Sequence, residues 1–205
     1  MSDPLEFPGD DGTTGSLSPL LLMMLVGILL AGTKLIAAYY TGVLLLAADG
    51  LYTLVVWYRK VFSPAIPRRK RSESMAAIIP GIILASAGLG IAWNSVAEGL
   101  ELFQGLSPRG FSPLALILAV ACLLIGYIAR RIISLRKMPD TGGELYFERG
   151  VSTFVLLPLS FASSGFSSAA GFLIISALII SLLVCVLAVQ FVYSLIEGIL
   201  VDKDS

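Results

Sequence analysis

Six long apolar runs fill the chain between Ser18 and Val201, and the basic residues between them fall on alternate connections. An apolar stretch of about 20 residues matches a hydrocarbon core of roughly 30 Å. The pattern therefore predicts an all-α membrane protein, a six-transmembrane-helix bundle with helices near residues 18–40, 42–62, 74–103, 111–135, 144–163 and 169–201. Arg59, Lys60, Arg68, Arg69, Lys70 and Arg71 follow the second run, and Arg130, Arg131, Arg136, Lys137 and Arg149 surround the gap between the fourth and fifth, whereas the other connections hold little beyond Arg109. Lysine and arginine collect on the cytoplasmic side of membrane proteins. The expected orientation is multi-pass with both termini cytoplasmic, because the number of spans is even.

A water-soluble core is excluded by composition, since 57% hydrophobic residues with 14% charged are too many to hide in 205 residues. The lipid bilayer is the expected surrounding, and a formal net charge of zero implies no nucleic-acid partner. The expected organisation is a disordered acidic tail over residues 1–17, a six-helix transmembrane domain over 18–202 and a short tail over 203–205. The leader carries Asp3, Glu6, Asp10 and Asp11, unlike the basic start of a secretory signal. Cys122 and Cys185 sit inside apolar runs and read as packing thiols.

Ionisable groups inside the spans carry most of the remaining information, because in hydrocarbon each costs several kcal/mol unless paired or hydrated. Lys34 and Asp49 are the clearest. If the first two helices turn around Thr41 and Gly42, both side chains lie roughly 10 to 12 Å from that turn, at matching depth on antiparallel neighbours. As an ion pair they either lock this hairpin or serve a cavity in which Asp49 titrates and Lys34 tunes it. Lys34 unpaired would snorkel outward. Glu98 and Glu101, one turn apart, read as an exposed cap or a cation-collecting mouth. Glu144, Glu148 and Arg149 invite pairing with the Lys137 region or an interfacial anchor, and Glu197 lies near the end of the sixth run.

Pro80 and Pro158 fall inside the third and fifth spans, where each removes a backbone donor and is expected to bend its helix. Trp57 with Tyr58, and Tyr39 with Tyr40, read as aromatic belts at helix ends. Between the last two spans a cluster of small residues, Ser160, Ser163, Ser164, Gly165, Ser167 and Ser168 among them, suits a loop or close helix contact.

The stretch KLIAAYYTGVLLLAADGLYTLVV, residues 34–56, resembles the first helix end and second helix of the cation diffusion facilitators, the zinc-transporter family. RSESMAAIIPG (71–81) is similar to the start of that family's third helix, VAEGLELF (96–103) to its outer end, and ILVD (199–202) to the exit from its sixth. The resemblance spans the membrane part, from about Leu20 to Asp202. It implies a six-helix bundle, usually a dimer, that exchanges a divalent cation such as zinc or manganese for protons.

The departure falls on the metal site. The family's ligands are two pairs on helices two and five, each a His or Asp followed four residues later by Asp, a tetrahedral set that suits zinc. Counted from Gly42 and from Glu148, these positions fall on Tyr52, Val56, Val151 and Val155, and the chain has no histidine. Asp49 matches a family acidic residue one turn ahead of the ligands. The family's cytoplasmic metal-sensing domain is not expected here.

Three functions follow. The first is a cation-diffusion-facilitator-like transporter, exchanging a divalent cation for protons at a degenerate, displaced site built from the oxygens of Asp49, Tyr52 and Glu148, with Lys34 a further residue of the cation and proton pathway. The second is a transport-inactive membrane scaffold, or one half of a heterodimer whose related partner supplies the metal site; loss of all four ligands together favours it. An enzyme is disfavoured, as no nucleophile–base pair, metal cluster or cofactor motif is present, and no permanently bound cofactor is expected. Fold-level analogy favours the transporter, as a homodimer or heterodimer.

Overall fold

Residues 19–62, 71–105, 113–135, 142–164 and 169–201 are described by a computed structural model, and all six elements among them are helices. They are α1 (Pro19–Thr41), α2 (Leu44–Phe62), α3 (Arg71–Phe103), α4 (Pro113–Leu135), α5 (Gly142–Ser163) and α6 (Ala169–Val201). Each apolar run has become one helix, with ends displaced by up to a turn from the expected ones. Gly42 sets one such boundary: its φ of 69° is left-handed, so it closes α1 instead of opening α2. Its amide donates to the Ala38 carbonyl at 2.8 Å, and the chain turns directly into α2. Pro80 and Pro158 both lie inside helices that continue past them.

α2 is the hub of the bundle. It packs on α1, α3, α5 and α6, and no residue from Leu44 to Lys60 is exposed. Its apolar side chains Leu45, Leu46, Tyr52 and Val55 form the middle of the main core, with Leu159 of α5 and Val184 of α6. α3 and α6, about 50 Å long at 1.5 Å per residue, pack along one another. That contact is close because Gly88 faces α6: a Cβ there would stand 2.9 Å from Cys185 Sγ. The α1–α2 contact uses the same device, with a Cβ on Gly27 falling 2.7 Å from the Trp57 side chain. Small residues at such crossings let backbones approach where no hydrophobic effect drives helices together.

The outward faces are apolar. Ile28, Ile36, Ile83, Leu89, Ile117 and Ile179 are each more than half exposed, and large exposed apolar surface marks a face that meets lipid or a partner. Three helices carry stretches long and apolar enough to cross a membrane: Met24–Thr41 of α1, Ile78–Phe103 of α3 and Ala169–Glu197 of α6. The chain is an all-helical membrane protein on these grounds. The other three helices carry no such stretch among the described residues. Asp49, Arg59 and Lys60 interrupt α2, Glu144, Glu148 and Arg149 lie in the first turns of α5, and the apolar stretch described in α4 is Pro113–Ile128.

Aromatic expectations divide. Tyr39 and Tyr40 are exposed at the end of α1 and meet edge to face, centroids 5.7 Å apart. Trp57 is no belt residue; the close α1 crossing buries it, and its indole N–H has no hydrogen-bond partner among the described residues. Tyr58 is half-buried and stacks edge to face on Phe191 of α6. In the small-residue segment, Ser160, Ser163 and Ser164 donate to carbonyls of their own helix, at Leu156, Ser160 and Phe161; Gly165, Ser167 and Ser168 lie outside the described residues. So do Arg68, Arg69, Lys70, Arg109, Arg136, Lys137 and both tails.

Candidate functional site

Lys34 sits inside the apolar stretch of α1, on the face turned toward α2. Because α1 and α2 form a hairpin with a minimal turn, Asp49 comes level with it, and Lys34 Nζ lies 3.0 Å from Asp49 Oδ2. The lysine does not snorkel: it is 4% exposed and Asp49 is 3%. The ammonium also donates to Thr53 Oγ1 at 2.6 Å and to Ser152 Oγ on α5 at 2.8 Å. An ammonium has three N–H bonds, and each has an oxygen acceptor.

The two hydroxyls pass the interaction on. Ser152 Oγ donates to Asp49 Oδ1 at 3.0 Å, and Thr53 Oγ1 donates to Glu148 Oε1 at 3.2 Å. Glu148 is 1% exposed, and its Oε1 stands 3.9 Å from Lys34 Nζ. α2 thus contributes an acid followed four residues later by a hydroxyl, Asp49 and Thr53, and α5 contributes the same pattern, Glu148 and Ser152. Residues four apart share a helix face. On α2 the number rises from 49 to 53 while on α5 the bonded partner falls from 152 to 148, so the helices run antiparallel here and the two patterns cross. One ammonium occupies the centre of a four-residue oxygen cage with approximate twofold character.

Burial gives these contacts their weight. Charge-assisted hydrogen bonds are roughly twice as strong as neutral ones, and removal of one member of a buried pair leaves the other uncompensated. The cage is not sealed. Lys34, Glu148 and Ser152 line a cavity of about 20 Å³ between α1, α4 and α5, bounded also by Cys122, Tyr127 and Arg149; this is room for one water molecule. At its rim the Arg149 guanidinium lies over the Tyr127 ring, 5.2 Å from the centroid, a cation–π contact.

Of the residues singled out from sequence, Lys34, Asp49 and Glu148 come together. The sequence offers Glu148 both as an interfacial anchor and as part of the polar site; it is buried beside Lys34, and of the two neighbours only Arg149 is exposed. Tyr52 and Val155 are buried in the main core, with Val56 in the core and Val151 packed against it. These four positions flank the polar face of α2 and α5, one to three residues away from it. Glu101 is exposed and Glu98 half-buried on α3, which gives no side chain to the cage, and Glu197 is exposed on α6. The side chain of Glu144 lies outside the described residues. Cys122 and Cys185 are free thiols.

Thr53 and Ser152 escaped the sequence reading. The signal was present as the shared acid-x-x-x-hydroxyl spacing in two charged helices. Among the described residues no group of three or more His, Cys, Asp or Glu is placed to hold a metal ion.

Fold and site together define an all-helical membrane protein with a buried, oxygen-caged lysine at the junction of three helices. No protein-family model matches the chain, and no curated protein matches it.

Proposed function

We propose that the chain is a six-span membrane carrier that exchanges a cation for protons through the cage between α2 and α5, with both termini cytoplasmic. Asp49 and Glu148 are its working carboxyls, and Lys34 holds the position that a transported cation takes. The observation that carries this reading is the cage itself: four oxygen-bearing side chains, from two antiparallel helices, converge on one positive charge deep in an apolar bundle. Ionisable groups inside membrane helices mark ion pathways far more often than surface ones do. Two further points support it. The hydroxyls form continuous donor–acceptor chains from Lys34 to each carboxyl, a path along which a proton can pass. The cavity of about 20 Å³ beside Glu148 and Lys34 also has room for a water molecule next to the cage. The resemblance of residues 34–56 to cation diffusion facilitators points the same way and implies a dimer.

The test is uptake into proteoliposomes holding only this protein, under an imposed proton gradient, with zinc, manganese, cobalt, potassium and sodium offered in turn. Uptake above empty vesicles that Asp49→Asn abolishes supports the carrier. The lack of uptake for every ion rejects it.

A second reading has its own observation. Every N–H of Lys34 is satisfied within the chain, so the ammonium also serves as a permanent plug that locks α1, α2 and α5 together. The protein is then a transport-inactive scaffold or the partner subunit of a related membrane protein. Purification in mild detergent distinguishes the two, because only a partner subunit brings down a stoichiometric second membrane protein.

A further inference from the structure

The cavity beside the cage has a floor and a rim. Its floor is buried and made by Lys34, Glu148, Ser152 and Cys122, while at its rim Tyr127 of α4 and Arg149 of α5 are exposed. Glu148 and Arg149 are neighbours turned different ways: the carboxylate goes in toward Lys34, and the guanidinium goes out to lie over the Tyr127 ring, 5.2 Å from its centroid. An aromatic face attracts a cation without neutralising it. A guanidinium also holds five N–H donors in a rigid fork that matches carboxylate or phosphate oxygens. The rim therefore presents a positioned positive charge to whatever surrounds the bundle.

The depth of this charge says what surrounds it. Arg149 comes seven residues after the start of α5 at Gly142, and Tyr127 eight before the end of α4 at Leu135. At 1.5 Å per residue they lie roughly 10 and 12 Å from those helix ends, at matching levels. The apolar run of α4 gives way to Arg130 and Arg131 just after Tyr127, which puts this level at the border of the hydrocarbon, where tyrosine is enriched. Arg131 is exposed on the Tyr127 face of α4, one turn nearer the helix end. In the other direction the surface is apolar. Leu124 and Val120 continue the Tyr127 face toward the bilayer centre, and Phe154 and Leu157 of α5 are exposed at similar depths. Positive charge at the border and exposed apolar surface below it match an amphiphile with an anionic head.

We propose that the rim formed by Arg149 and Tyr127 is a binding site for an anionic membrane phospholipid. The phosphate takes the fork of Arg149, which Tyr127 holds in place, with the Arg131 charge one turn beyond, and the acyl chains run along the exposed apolar faces of α4 and α5. Basic pockets between transmembrane helices bind anionic headgroups by the same chemistry. Net charge selects the lipid: phosphatidylglycerol brings an uncompensated negative charge, whereas the choline of phosphatidylcholine cancels that of its phosphate. A headgroup in this position covers the mouth of the cavity whose floor is the cage. The proposal rests on α4 and α5 crossing the bilayer, which is part of the carrier reading, and not on transport.

The experiment is native mass spectrometry of the purified full chain in mild detergent, titrated with phosphatidylglycerol or with phosphatidylcholine of the same chain length. Wild type is expected to retain phosphatidylglycerol at concentrations where phosphatidylcholine is lost. Loss of a charge-assisted hydrogen bond weakens binding by about tenfold or more, so Arg149→Gln is expected to raise the dissociation constant for phosphatidylglycerol by at least that factor. Arg149→Lys, which keeps the charge without the fork, is expected to fall between the two, and Tyr127→Leu to weaken binding by a smaller factor than Arg149→Gln. Equal retention of both lipids by wild type, or unchanged affinity in Arg149→Gln, overturns the proposal. Displacement of the lipid by an equal concentration of inorganic phosphate overturns the lipid assignment in favour of a free anion. Should Arg149→Gln fail to fold, Arg149→Lys and Tyr127→Leu decide, and wild-type affinity in both overturns the proposal. Lipid retention is read without a gradient or an ion flux, so its failure leaves the carrier reading standing, and a lack of ion uptake by vesicles leaves the lipid site standing.

Discussion

Lys34 commits three N–H bonds to three different residues on two helices, so its removal leaves Asp49, Thr53, Ser152 and Glu148 without their common partner. Lys34→Met and Asp49→Asn are each expected to destabilise the bundle by about 3–5 kcal/mol, the usual cost of breaking a buried ion pair. The double substitution is expected to cost clearly less than the sum, since each change removes the charge the other leaves stranded. Thermal unfolding of all three variants in detergent checks this, and strict additivity contradicts it. Ser152→Ala deletes only a relay hydroxyl and is expected to cost about 1–3 kcal/mol, the penalty for an unsatisfied buried donor. Much of this site was legible in sequence. Charge within an apolar run selected Lys34 and Asp49, and hairpin geometry put them level. Glu148 was visible as a charge, but its inward direction depends on how α5 is rotated against α2, which spacing along one helix does not encode. Thr53 and Ser152 were hidden because serine and threonine in helices ordinarily bond to their own preceding turn, as Thr41 and Ser160 do here.

At the scale of elements, close helix crossings depend on a few missing side chains. Gly27→Ala drives a Cβ to within 2.7 Å of the buried Trp57, and Gly88→Ala puts one 2.9 Å from Cys185 Sγ. Overpacking of this kind costs about 1–3 kcal/mol. Gly32→Ala and Gly90→Ala meet no atom within 4 Å, and should be neutral or gain about 0.5–1 kcal/mol from helix propensity. Unfolding midpoints for these four variants separate crossing glycines from incidental ones; equal effects would count against the packing described. The same crossing explains why Trp57 misled the sequence reading. Its place near Arg59 and Lys60 looks interfacial along the chain, yet α2 is surrounded on all sides, and hub helices bury residues that a peripheral helix would present to the headgroups. The six apolar runs, by contrast, foretold the six helices closely, because run length and turn chemistry are local properties.

The whole molecule is organised inside out relative to a soluble protein, with large aliphatic side chains outward and its buried charges at the centre. If α2 and α5 span the bilayer with the others, the turn at Gly42 and the end of α2 at Lys60 lie on opposite sides. A single cysteine introduced at Thr41 or at Lys60 in a background lacking Cys122 and Cys185 should then react with impermeant thiol reagents from opposite faces of sealed vesicles. Labelling of both from one face would reduce α2 to a re-entrant helix. The central claim, that the cage is a cation–proton exchange site, is tested most directly by recording internal pH in proteoliposomes while a cation gradient is imposed, comparing wild type with Asp49→Asn and Glu148→Gln. The account predicts a proton flux opposite to the cation gradient in wild type and at least a tenfold slower flux, about 1.4 kcal/mol or more in barrier, in each variant. A wild-type trace identical to that of empty vesicles for every cation contradicts it.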